Sequence, residues 1–293
     1  MKNIFTYSTA VVLGLALVAT PEADAQQFSK RKQYNSIGFS LNAMNYFGDL
    51  TPVTSFTSLR LGATRVGAGV SITRRFYPRL SGRFGLSYGR ISGDDSFVND
   101  QDPDARFRNN RNMNFRNDIL EASAVAIVDL IENRNNYLKR PDFVPYVFAG
   151  VAGFYSNPQG LDNRTGNYVD LQPLKTEGQA TAYGKTQLSI PFGGGIRYRI
   201  NRNFDASLEI GWRKTFTDYL DDVGGKYADQ SKLTTDAAAY FGHNITKDRT
   251  KFPGFDNAGE QRGDSGNKTD WYIVTGVTLN YILTPRIKNP KFR

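Results

Sequence analysis

The 293-residue chain contains no cysteine. Disulfide staples are therefore excluded, and so is a lipid anchor on an amino-terminal cysteine. Histidine is nearly absent too, with His243 the only one. Beyond the amino-terminal segment, no stretch reaches the ~18 continuous apolar residues of a transmembrane helix. Mean hydropathy is low, at −0.48. That value argues against membrane helices but not against strands, because a barrel wall exposes only every second residue to lipid. Acid is scarcer than base: 28 Asp and Glu stand against 37 Lys and Arg, a formal charge of +9.

The first 25 residues read as a secretory leader. Lys2 supplies a positive start, Val11 to Ala19 an apolar stretch, and Ala23-Asp24-Ala25 an A-x-A cleavage site. The mature chain is then expected to begin at Gln26 and to form one domain. Its 28 Gly, 20 Phe and 16 Tyr make a composition typical of barrels.

The segment from Trp271 to Thr284 alternates with a period of two. Trp271, Ile273, Val277, Leu279, Tyr281 and Leu283 fall on one face, and Gly276, Thr278, Asn280 and Thr284 on the other. Successive strand side chains point to opposite faces. The run exceeds an ordinary strand of about 5–6 residues and suits the roughly 9–11 residues of a tilted strand crossing a bilayer. Similar alternation recurs. Ile37, Phe39 and Leu41 oppose Gly38, Ser40 and Asn42; Val66, Val70 and Ile72 oppose Gly67, Ser71 and Thr73. Phe84, Leu86 and Tyr88 oppose Arg83, Gly85 and Ser87, and Leu120 to Val128 interleaves with Glu121 to Ile127. Leu188 to Tyr198 and Phe204 to Trp212 repeat the pattern. Phe143 to Tyr155 is apolar on both faces; Val147, Ala149 and Val151 are assigned outward. The alanine-rich fourth segment has helical propensity, but its period of two makes it a strand.

Short connectors (77–79, 133–140, 201–203) alternate with long ones (49–64, 93–113, 156–185, 220–268). Outer-membrane barrels alternate in this way, with short periplasmic turns and long extracellular loops. The expected fold is all-β: an eight-stranded antiparallel up-and-down transmembrane barrel over 36–284. A periplasmic segment at 26–35 and a tail at 285–293 would put both termini in the periplasm. An extra hairpin within 220–268 would extend the wall.

Eight strands enclose a lumen that their own side chains fill. Arg83, Glu121, Arg197, Glu209 and Arg213 are expected inside, with Asp129 and Asp205 nearer one end, as an ion-pair network, since unpaired buried charge is costly. Glu121 and Glu209 could instead act as a catalytic carboxylate pair, but pairing with Arg197 and Arg213 is favoured. His243 sits mid-loop and is expected to be solvated, with no catalytic partner indicated. The Asp100–Asp104 run departs from a calcium loop at Arg106 and Arg111. Gly263–Thr269 lacks the spacing of a phosphate loop. No catalytic residue, cofactor or metal is assigned.

Positive charge gathers at the short turns. Arg75, Arg79, Arg134, Lys139, Arg140 and Arg202 form a basic collar that suits either anionic lipid headgroups or an acidic periplasmic protein. Nucleic acid is an unsuitable partner for a secreted chain despite a pI of 9.6.

Four stretches carry a resemblance: Tyr46–Pro52, Pro145–Val151, Asp170–Leu174 with Thr176–Gln179, and Arg213–Val223. They resemble the PorG family of outer-membrane barrels from Bacteroidota, in order and at strand–loop junctions. The resemblance implies a non-enzymatic component of the type IX secretion system, anchoring a periplasmic ring of PorK and PorN type. An adhesin or ligand-binding barrel acting through its long loops is the alternative. Gly276, Leu279 and Tyr281 also resemble the terminal-strand signal read by the barrel assembly machinery, with Val274 and the tail as departures.

Overall fold

The computed structural model describes residues 32–50, 62–97, 111–243, 256–263 and 269–284. The expected leader, the Asp100–Asp104 run, most of the Gly263–Thr269 loop and the 285–293 tail lie outside them. Nine strands follow in chain order: β1 (Asn35–Phe47), β2 (Arg65–Arg75), β3 (Leu80–Asp94), β4 (Asn114–Asp129), β5 (Phe143–Asp162), β6 (Asn167–Asp170), β7 (Thr186–Arg199), β8 (Phe204–Thr215) and β9 (Trp271–Leu283). Among the described residues, one α-helix, α1 (Asp236–His243), lies between β8 and β9.

Every wall pairing is antiparallel. The order runs β4-β3-β2-β1-β9-β8-β7-β5, and β4 pairs back onto β5 to close the ring. Eight strands make the barrel. β1 meets β9 in register from Asn35↔Leu283 to Phe47↔Trp271, so both ends of the barrel chain emerge on the short-turn side.

The expected alternation is realised. Leu208 is 47% exposed while Ser207 beside it is 5% exposed. Val147 and Val151 face outward at 48% and 65%, as does Ala149. Leu120, Ala122, Ala124 and Ala126 alternate in burial with Glu121, Val125 and Ile127 along strand β4. Here the sheet ladder overrides helical propensity, because β3 and β5 satisfy its backbone on both sides. Outward aromatics fringe the apolar belt: Tyr88 and Tyr155 towards the long loops, and Phe143, Tyr198 and Tyr281 towards the short turns. Water-soluble monomers rarely expose apolar patches beyond about 300–600 Å², whereas this belt circles the whole wall.

Two departures concern the loops. β5 runs on to Asp162, past the expected end at Tyr155, and folds into a hairpin with β6 (Gln159↔Asp170 to Asp162↔Asn167). Gly166, at φ +73°, donates its N–H to the Asp162 carbonyl at 2.7 Å and closes the turn. Among the described residues, the added hairpin therefore lies in the 156–185 connector. The described part of 220–268 instead holds a 3₁₀ turn, α1 and an isolated bridge between Lys226 and Gln261.

Candidate functional site

Charged side chains cross the lumen in pairs. Arg83 on β3 grips both carboxylate oxygens of Glu209 on β8, with Nη2 to Oε2 at 2.9 Å. The Tyr146 hydroxyl donates to the same Glu209 at 2.5 Å. Nearer the long loops, Arg213 Nε donates to Glu121 at 3.3 Å and the Tyr272 hydroxyl donates at 2.6 Å. Arg197 binds Asp129 at 2.8 Å. The five predicted luminal residues are thus all inside, but Arg197 meets an aspartate rather than a glutamate. Glu121 and Glu209 do not contact one another; each is held by an arginine and a tyrosine. Glycine makes room for this layer. A Cβ on Gly195 would lie 2.9 Å from both Glu209 Cγ and the Tyr146 ring.

Two members of the expected collar are not on the surface. Arg75 is buried and shares Asp129 with Arg197, at 2.9 Å. Arg140 is buried against Asp205 at 2.6 Å and also donates to the carbonyls of Arg202 and Asn201. Each has an inward strand carboxylate within reach, and a buried charge must be paired. They close the short-turn mouth. Arg79, Lys139 and Arg202 remain exposed with no ion pair among the described residues, while Arg134 is exposed and bonded to Glu132. Arg74 is also exposed there, beside exposed Phe76 and Tyr77.

The long-loop mouth is sealed by a denser network. Arg262, buried, donates to Thr176 Oγ1 at 3.1 Å, to Glu177 at 3.1 Å and to the Asp222 carbonyl at 2.7 Å. Arg111, also buried, grips Asp95 at 2.8 and 2.9 Å and reaches the carbonyls of Asp49 and Arg262. Asp222 accepts from Thr176 at 2.5 Å and Tyr183 at 2.7 Å. Asp270 accepts from Tyr46 at 2.7 Å and from the Leu220 amide at 2.9 Å. Beneath them, Tyr46, Leu50, Phe115, Leu220, Val223 and Tyr272 form an apolar cluster.

Burial sets the protonation of this cap. It pushes the Asp222 carboxyl up to about 6, against the pull of Arg262, Thr176 and Tyr183. Asp221 and Asp270 are raised well above the ordinary range by burial first, and then by neighbouring carboxylates. Burial raises the Tyr227 phenol to about 12. No metal-holding group of three or more His, Cys, Asp or Glu occurs among the described residues.

Neither Arg111 nor Arg262 was expected here, because their contacts join loops up to 151 residues apart. Yet three of the four motif stretches meet at this cap: Tyr46–Pro52 through Tyr46 and Leu50, Thr176–Gln179 through Thr176 and Glu177, and Arg213–Val223 through Leu220 to Val223. His243 differs from the solvated residue expected. It is buried, stacked on Tyr227 with 5.8 Å between ring centroids, and its Nδ1 lies 3.0 Å from the Asp256 carbonyl. Packing of α1 against the cap removes it from solvent.

These features define a class: a closed eight-stranded antiparallel β-barrel with an apolar belt and charged pairs across its lumen. The fold resembles that of integral outer-membrane β-barrels. The chain belongs to the family described as Domain of unknown function (DUF6089), whose model matches residues 24–257. No curated protein matches the chain. Among solved structures, OprG from Pseudomonas aeruginosa is similar at 9% identity, covering 87% of this chain and 98% of that one, with a TM-score of 0.39. Neisserial surface protein A is similar at 10% identity, covering 85% and 96%, with a TM-score of 0.36. Ail of Yersinia pestis, in complex with the heparin analogue sucrose octasulfate, is similar at 9% identity, covering 86% and 97%, with a TM-score of 0.35.

Proposed function

We propose that this protein is a non-enzymatic integral outer-membrane barrel that anchors a periplasmic assembly. Its belt meets lipid, and its short-turn rim and both termini face the periplasm. Glu121 and Glu209 in the lumen are each paired with an arginine, which directs the search for function to the rims. The observation that carries the reading is the short-turn rim itself, where Arg74, Arg79, Lys139 and Arg202 stand exposed beside Phe76, Tyr77 and Leu138. Exposed cations around apolar anchors suit an acidic protein surface. With the PorG resemblance, the partner is a ring of PorK and PorN type, and the role is that of an accessory part of type IX secretion.

The test is a pull-down through the barrel, comparing wild type with R79E/K139E/R202E. Recovery of ring proteins by wild type and loss of at least tenfold in the variant is expected. An unchanged complex and intact secretion in the folded variant would remove the proposal.

A second reading has its own support. Three of the four stretches that resemble the family converge on the long-loop cap, not on the basic rim. A rigid cap of buried ion pairs is a platform for an external ligand, and the barrel would then act as a binding protein at the cell surface. Deletion of the cap network with secretion intact would favour this reading.

A further inference from the structure

A cavity of about 230 Å³ opens at the long-loop end of β1 to β5, outside the capped lumen. Arg65, Arg90 and Arg116 line it. Arg90 is neutralised by Asp118 through contacts of 2.5 and 2.9 Å. Among the described residues, Arg65 bonds only to the carbonyls of Gly62 and Thr64, at 3.0 and 3.1 Å. Arg116 donates to the Gln159 side-chain oxygen at 2.9 Å and lies 3.5 Å from the centre of the Tyr168 ring. Neither Arg65 nor Arg116 has a carboxylate partner among the described residues. Asp94 is the other acid lining the site, and its side chain accepts from the Ser96 amide. Counting Arg65, Arg90 and Arg116 against Asp94 and Asp118 leaves one net positive charge and two guanidinium groups whose bonds among the described residues go to neutral acceptors. Such groups match phosphate oxygens in pairs.

Size and lining narrow the ligand. A cavity of about 150 Å³ holds benzene, so this one takes a six-membered ring together with an anionic group. Phosphate alone would leave most of it empty. Asn45, Ser92 and Asn114 contribute polar walls, and Leu50, Phe115 and Leu161 an apolar one, a mixture that suits a hydroxylated ring, whose C–H face is apolar and whose edge carries hydroxyls. Depth adds a further constraint. Arg90 follows the outward aromatic Tyr88 by two residues on β3, a rise of about 7 Å, which is the level of lipid headgroups above an apolar belt. We propose that this cavity binds a phosphorylated sugar, either as the headgroup of an outer-leaflet glycolipid or as a free sugar phosphate. The lipid source rests on the outer-membrane reading above; the free source does not.

The experiment is a titration with glucose 1-phosphate of the full chain in phosphatidylcholine nanodiscs, read by calorimetry. Saturable binding is expected for wild type, weakened at least tenfold in Arg65→Gln/Arg116→Gln, with glucose itself not binding. In the second arm, native mass spectrometry follows monophosphoryl lipid A through detergent exchange. Retention by wild type but not by the variant assigns the lipid source; free binding without retention assigns the soluble one. Absence of binding in both arms, or equal binding by the folded double variant, overturns the proposal. Should the double variant fail to fold, the single Arg65→Gln and competition by inorganic phosphate on wild type read the same contact. Membrane fractionation judges location separately: a chain found elsewhere ends the lipid source and leaves the free titration to decide on the cavity.

Discussion

Arg83 on β3 and Glu209 on β8 grip each other from opposite walls of the barrel, with Nη2 to Oε2 at 2.9 Å. Four strand-to-strand steps separate them either way round the ring, so the pair spans the full lumen. Both side chains are largely buried, and the Tyr146 hydroxyl fills a remaining acceptor of the glutamate.

Breaking this pair on one side strands a buried charge. Arg83→Met should destabilise the barrel by about 3 kcal/mol, within the 3–5 kcal/mol typical of a broken buried pair. Arg83→Met/Glu209→Met should recover most of the loss, because no unpaired charge remains. Urea midpoints of the refolded barrel in detergent check both, and a double variant weaker than the single one would refute the pairing energetics.

The basic collar divides into two groups with opposite expected behaviour. Arg140→Ala leaves Asp205 buried without its partner and unties two turns, so a loss of about 3 kcal/mol or more is expected. Arg79→Ala and Arg202→Ala touch exposed side chains and should stay within about 0.5 kcal/mol. Thermal melting monitored by heat-modifiable migration separates the groups. Equal effects would mean that Arg140 is not the latch of the short-turn mouth.

The wall was legible in the sequence, and most of the cap was not, for a physical reason. A period of two is local: Leu208 and Ser207 report their faces without reference to any other strand. Luminal partners are not local. That Arg197 meets Asp129 rather than a glutamate follows from strand register and stagger, which alternation does not encode. The cap lies further still from local rules, since Arg111 and Arg262 become buried only after loops distant in sequence pack together. The same packing took His243 out of solvent. A hint did exist in the resembling stretches, whose polar residues sit at strand–loop junctions where a cap would form.

Protonation should stabilise that cap. Burial pushes the folded Asp222 carboxyl up to about 6, above the ordinary carboxylate range. A carboxyl raised on folding contributes its stability in full below the ordinary carboxylate range and loses it as pH rises through about 6. Asp221 and Asp270 act in the same direction. Hydrogen exchange over residues 218–227, corrected for intrinsic rates, should therefore show protection falling between pH 4 and pH 7. Asp222→Asn should flatten part of that slope. Protection that rises with pH would contradict the burial of these acids.

Cap and wall should also come apart mutationally. Arg262→Met removes donors to Thr176, Glu177 and the Asp222 carbonyl without touching a wall ladder. Protease sensitivity in the long loops should rise at least tenfold while the urea midpoint of the barrel stays unchanged. A matching fall in the midpoint would show that the two unfold as one unit.

The absence of native cysteine permits the most direct test of a lipid-facing barrel. Single cysteines at Val277, Thr278, Leu279, Asn280 and Tyr281, labelled with bimane in bilayers containing brominated phospholipid, report the surroundings of each position along β9. Strong quenching at 277, 279 and 281, with little at 278 and 280, is the expected result. Uniform quenching, or uniform protection combined with ready labelling by a water-soluble reagent at every position, would contradict a barrel whose apolar belt meets lipid.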